Sequence, residues 1–174
     1  MVRGFSFLVD KRFVHAQVHL GREIREVPVP TGQAAVPPPQ AVAAVEAVPP
    51  QADWVEVPLV RLAWARSGDK GDQSNVGVIA RRPEWLPWLR AQLTEGAVKA
   101  WLAHLVHGEV TRHDLPGIHA MNFVCTQALD GGGLASLRND ALGKGMAQVL
   151  LAMPVKMPPH TVESLRDSTL RRHQ

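Results

Sequence analysis

A single cysteine, Cys125, leaves the chain without any internal disulfide framework and fits a reducing cytoplasm. Long apolar runs are missing too. The longest near the start, residues 5–9, is interrupted by Ser6 and stopped by Asp10, too short for a signal-peptide core and far too short for a membrane span. These absences predict a soluble cytoplasmic protein with no membrane partner. Positive charge is scattered: 19 Lys and Arg stand against 16 Asp and Glu, for a net charge of +3. With no interleaved basic and aromatic pattern, no nucleic-acid partner is expected. No G-x-x-x-x-G-K-[ST] or G-x-G-x-x-G run occurs, which excludes the two common phosphate loops. His104, His107, His113 and His119 lack cysteine or acidic companions at ligand spacing, so no metal site is expected.

What the sequence does have is 45% hydrophobic residues over 174 positions, enough to bury the core of one medium domain. Proline divides it. Eight of the 14 prolines fall between Pro28 and Pro58, in a stretch of Ala, Val, Gln and Pro without helical or strand period. The expected plan is therefore an extended arm (1–30), a linker (31–58), a main domain (59–155) and a polar tail (156–174). Within the arm, Val14, Ala16, Val18 and Leu20 alternate, Gly21 offers a turn, and a second extended run covers 24–29. A lone hairpin is marginal in water, so the arm needs another surface.

In the main domain, residues 59–65 and 75–81 read as two strands joined by the charged loop "RSGDKGDQSN". Pro83 opens a helical stretch with Trp85, Leu86, Trp88, Leu89 and Leu93 on one face. Thr94 caps a second helix carrying Val98, Trp101, Leu102 and Leu105, and Gly108 stops it. Residues 109–115 and 118–127 then pair about a turn at Pro116–Gly117, with positive φ expected at the glycine. A last helix runs over 139–153, with Leu142, Met146, Val149, Leu150 and Met153 as its apolar stripe. The order β-β-α-β-β-α predicts a two-layer α+β sandwich, an antiparallel sheet with helices on one face. Cys125 and the five tryptophans are assigned to the core.

Two stretches could carry chemistry. In the first, Gly68 and Gly71 free the backbone, while Arg66 and Lys70 nearly cancel Asp69 and Asp72. It reads equally as a self-neutralising turn and as a site in which Arg66 and Lys70 hold an anionic oxygen while an aspartate acts as base. In the second, Gly131, Gly132 and Gly133 lead to Ser136, Arg138, Asn139 and Asp140 at a helix start. Free amides beside a cation make a recipe for binding an anion, and equally an ordinary glycine turn and cap.

Three segments, "ARSGDKGDQSNVGVIAR", "LPGIHAMNFVCTQALDGGG" and "SLRNDALGKGMAQVLLAMPV", together resemble the C-terminal domain of the AtuA family, named for acyclic terpene utilisation. The resemblance covers about 59–155 and implies a ferredoxin-like α+β domain, usually preceded by a much larger N-terminal domain. Relatives are associated with the breakdown of citronellol, geraniol and related branched acyl-CoA compounds. Carried onto this chain, the matching positions are Arg66, Ser67, Gly68, Asp69, Lys70, Gly71, Asn75 and Gly77, then Asn122 and Phe123, then Gly131 to Gly133, Ser136, Leu137, Arg138, Asp140, Gly143 and Lys144. The resemblance implies a subunit of an enzyme of acyl-CoA chemistry, a lyase or hydratase. In that reading Asp69 is the base, Lys70 and Arg138 hold the anion, and Asn122 donates to a developing oxyanion. Arg66, Ser67, Asn75, Gly131, Gly132, Gly133, Ser136, Arg138 and Lys144 contact the ligand, an acyl-CoA. Because no large domain precedes the linker, the expected partner is a second copy or a large AtuA-type subunit; the alternative is a non-catalytic assembly module.

Overall fold

The computed structural model describes residues 7–30, 32 and 46–162, so half of the expected linker and the tail from 163 lie outside the described residues. The chain divides into two units, Met1–Ala41 and Val42–Gln174. In the first, β1 (Ala16–Leu20) and β2 (Glu23–Val27) form an antiparallel hairpin. Its turn uses Gly21 at φ 65°, a conformation that costs glycine nothing. Ala16, Val18, Leu20 and Val27 share one face with the ion-paired Arg25 and Glu23, and both strands are exposed apart from a half-buried Ala16.

The second unit opens with β3 (Val55–Pro58), which pairs antiparallel with the last strand rather than serving as linker. Residues 59–61 make a 3-10 turn, and the strand expected over 59–65 is displaced to β4 (Ala63–Lys70). β5 (Gln73–Ala80) follows after two residues. The expected ten-residue loop therefore does not exist: Arg66 through Lys70 are strand, and only Gly71 and Asp72 turn. Gly71 at φ 67° supplies the positive φ that a two-residue hairpin turn demands.

A 3-10 turn at Pro83–Trp85 leads into α1 (Leu86–Gln92), and Thr94 caps α2 (Glu95–Trp101) by accepting from Ala97 N at 3.1 Å. Trp85, Leu86, Leu89, Leu93, Val98 and Leu102 are buried, as their helical spacing predicts. The helix ends at Trp101, well before Gly108. β6 (Val110–Leu115) and β7 (Ala120–Cys125) pair antiparallel. Their connection is a 3-10 turn at Pro116–Ile118, and the positive φ falls on His119 (52°) instead of Gly117. α3 (Met146–Leu151) is less than half the expected length. Gly143, at φ 61°, breaks the helical path, and Leu142, expected on the buried stripe, is 43% exposed. β8 (Pro154–Met157) closes the domain beside β3.

β4, β5, β7 and β6 lie side by side in that order in one antiparallel sheet. α3 packs on β4 and β5, and α2 packs on β6, with Trp101 Nε1 donating to Val149 O at 2.8 Å to join the helices. The expected β-β-α-β-β-α core is thus an α+β sandwich with its middle helix split in two and a flanking β3–β8 pair added. Alternate strand residues face the helices: Ala63 and Ser67, Val76 and Val78, Met121, Phe123 and Cys125. Burial of that face supplies the main driving force, at roughly 25 cal/mol per Å² of apolar surface. Among the described residues, no helix is long and apolar enough to cross a membrane.

Candidate functional site

The two-residue turn fixes the register of the β4–β5 hairpin, and the register sorts the polar motif by face. Ser67 stands opposite Val76 on the helix-facing side. Arg66 stands opposite Gly77, Gly68 opposite Asn75, and Lys70 opposite Gln73, all on the other side. β7 continues the same row, with Asn122 beside Gly77. Two glycines on one face of adjacent strands remove the side chains that would fill it. The result is a depression of about 320 Å³. Gly68 and Gly77 form its floor, and Arg66, Lys70, Asn75 and Lys144 stand around it with Asp69 and the Ser67 backbone at the edge strand.

Asn75 Nδ2 donates to Asn122 Oδ1 at 3.3 Å, which orients both amides across the strands. Lys70 Nζ folds back to donate to Asp69 O at 2.9 Å. Lys144 reaches the site from the segment before α3, its Nζ 3.5 Å from Asp69 Oδ1. A Cβ placed on Gly68 would lie 3.5 Å from that ammonium and 3.6 Å from Asn75 Oδ1. Three cationic side chains thus surround the depression and one carboxylate balances them.

The second motif converges on the hairpin, chiefly to hold it. Asp72 Oδ1 accepts from Gly131 N at 2.7 Å and from Leu129 N at 3.2 Å. Gly132, at φ 63°, lies so close to the hairpin turn that a Cβ there would come within 2.0 Å of Gly71 O. Ser67, 5% exposed, donates from Oγ to Lys144 O at 3.1 Å and accepts from Ala147 N at 3.0 Å, binding β4 to the start of α3. Asp140 accepts from Lys144 N at 2.7 Å and Gly145 N at 2.8 Å. These contacts set the path that brings Lys144 to the depression.

Several expected ligand contacts are therefore occupied by the protein itself. The Gly131 amide goes to Asp72 and the Gly132 amide to Leu129 O at 2.9 Å, so the triple glycine presents no open cradle from those two groups. Arg138 turns inward: its guanidinium donates to Ala128 O and Leu105 O, and its Nε lies 3.4 Å from Asp130 Oδ2. Ser136 Oγ accepts from Arg138 N at 3.2 Å, tying its own loop. A second depression, about 570 Å³, is lined by Gly133, Leu134, Asn139, Asp140, Ala141, Leu142 and Lys144, but the Asp140 carboxylate in it is bound to backbone amides.

Burial pushes the Cys125 thiol up to about 11, against a smaller opposite pull from Lys99, so it is no thiolate nucleophile at neutral pH. Among the described residues, no group of three or more His, Cys, Asp or Glu could hold a metal ion. Sequence reasoning missed the pairing of Gly68 and Gly77 as a floor. The signal was available: once Gly71 and Asp72 are taken as the turn, every cross-strand partner follows by counting outward.

No curated protein and no solved structure matches the chain. The model of the AtuA ferredoxin-like domain matches residues 57–156. The match spans β3 to β8, includes every residue around the depression, and covers more than half of the 174 positions. The chain therefore belongs to the AtuA family through its ferredoxin-like domain.

Proposed function

We propose that the glycine-floored depression binds the carboxylate or thioester carbonyl of an acyclic terpenoid or related branched acyl-CoA compound, the chain acting as a domain or subunit of an AtuA-type protein. One observation carries the reading: two separate sequence motifs deliver Arg66, Lys70 and Lys144 to one small concavity in which Asp69 is the sole carboxylate. In this reading Arg66, whose guanidinium has no ion pair or hydrogen bond among the described residues, takes the anion through its planar fork. Lys144 contributes a point charge positioned by Asp69, and the Asn75–Asn122 pair supplies amide groups beside the carbonyl. Asp69 is the base in this reading, its carboxylate 3.5 Å from Lys144 Nζ. The exposed β1–β2 hairpin, marginal in water by itself, supports assembly with a second copy or a large AtuA-type subunit.

Calorimetric titration of the full chain with acetate, and with short branched acyl-CoA thioesters, tests the reading. Arg66→Ala and Lys144→Ala should each weaken binding at least tenfold while the melting temperature stays within about 2 °C, since exposed charges contribute little to stability. Binding that survives both substitutions, or no binding at millimolar ligand, rejects it.

A further inference from the structure

The cross-strand register places a second feature next to the depression. One row along the same face, Trp64 pairs with Ile79, Ile79 with Ala120, and Ala120 with Leu115, so an apolar row crosses all four strands, exposed at Trp64, Ile79 and Leu115 and buried at Ala120. Trp64 is 52% exposed and Ile79 39%. The neighbouring row is polar, reading Arg66, Gly77, Asn122 and His113 across the same strands. Rows on one face are about 7 Å apart, so the band begins one row beyond the cations. Arg81 holds the Trp64 ring in place, its guanidinium 4.6 Å from the ring centroid and its Nε bonded to Val60 O at 2.9 Å.

We infer that the band seats a hydrocarbon chain attached to the anionic group, so that Trp64 and Ile79 determine which acyl chains the site accepts. This rests on the proposed binding of the anionic or carbonyl head by Arg66 and Lys144. Singly exposed apolar residues need no explanation. Here the two are direct cross-strand neighbours beside a cation-lined hollow, and the glycine at position 77 leaves the route between them open. A ligand with a charged end and an apolar chain matches both rows in order. Short carboxylates engage only the polar row. Chains beyond about five methylenes cross the gap and lie against Trp64 and Ile79.

Titration of the full chain with acetate, hexanoate, octanoate and decanoate below their micelle concentrations is the test. Beyond hexanoate the affinity should rise about twofold for each methylene, the worth of a methylene partly removed from water. Trp64→Ala should lower the decanoate affinity at least fivefold and that of acetate less than twofold. A flat series in which acetate binding still depends on Arg66 overturns this inference and leaves the head-group reading standing. If no member of the series binds, the head-group reading falls and this inference with it. If Trp64→Ala instead halves the molar mass by light scattering, the band is covered by a second copy and the inference is wrong.

Discussion

The same four strands present two opposite surfaces. Toward the helices they bury Val76, Val78, Met121 and Phe123, each 1% exposed or less. On the other side the residues between these, Asn75, Gly77, Ile79 and Asn122, lie at a surface with two glycines, two amides, a cation and an exposed tryptophan close together. A strand with one packed side ordinarily puts scattered polar residues on the other. This one puts a hollow there with three cations against one carboxylate, which adds little to stability, since the excess like charges repel and glycines weaken strands. The difference teaches that the motif is two interleaved sets. Ser67 and Asp72 tie the fold, whereas Arg66, Gly68, Asn75 and Gly77 shape a surface.

Adjacent residues on one strand break the comparison most sharply. Phe123→Ala should cost about 3–5 kcal/mol in urea unfolding, the usual cost of emptying a buried aromatic site. Its neighbour Asn122→Ala should cost less than about 1 kcal/mol, for a half-exposed amide pair. Equal losses would mean that the open face is packed as tightly as the core. A smaller contrast is expected two strands away, on β4. Ser67→Ala strands the buried Ala147 N–H and should cost about 1–3 kcal/mol. Arg66→Ala should leave stability within about 0.5 kcal/mol, as surface substitutions do. If Ser67→Ala proves silent, its bridge to α3 is not holding the layers together.

Much of the fold could be read from the chain because hydrophobic period and caps agree with tertiary structure. Trp85, Leu86, Leu89 and Leu93 fall on one helical stripe, and Thr94 caps where it should. The errors have physical causes. Glycine and aspartate are poor strand formers, so Gly68 and Asp69 conceal five residues of β4, 66–70; pairing with Asn75 and Ser74 overrides that preference. The last helix was overextended because Leu142 fits the period, whereas Gly143 has a left-handed backbone packed against Ser74 and Leu129. For the site, Arg66, Asn75, Asn122 and Lys144 were all identified from their motifs. Arg138 was assigned outward, since sequence does not show which carbonyls a guanidinium will reach; here they belong to Ala128 and Leu105.

The smallest expected change in stability separates the two kinds of glycine. At Gly132 a side chain meets the hairpin turn at 2.0 Å in a backbone conformation that resists it, so Gly132→Ala should unfold the contact between the motifs. At Gly77 an added Cβ would sit 3.8 Å from Arg66 O and 4.0 Å from Asn122 Oδ1, which is ordinary contact, and φ is not positive. Gly77→Ala should therefore leave the melting temperature unchanged or raise it slightly, by up to about 1 kcal/mol of stability, because alanine has less chain entropy to lose. The methyl group nevertheless rises from the floor between Arg66 and Asn122, where the head group is proposed to lie. Acetate binding should fall at least tenfold in a protein as stable as the original. A Gly77→Ala protein that loses stability instead would show that this glycine serves the packing of the sheet, and would move it from the open face's function to the fold.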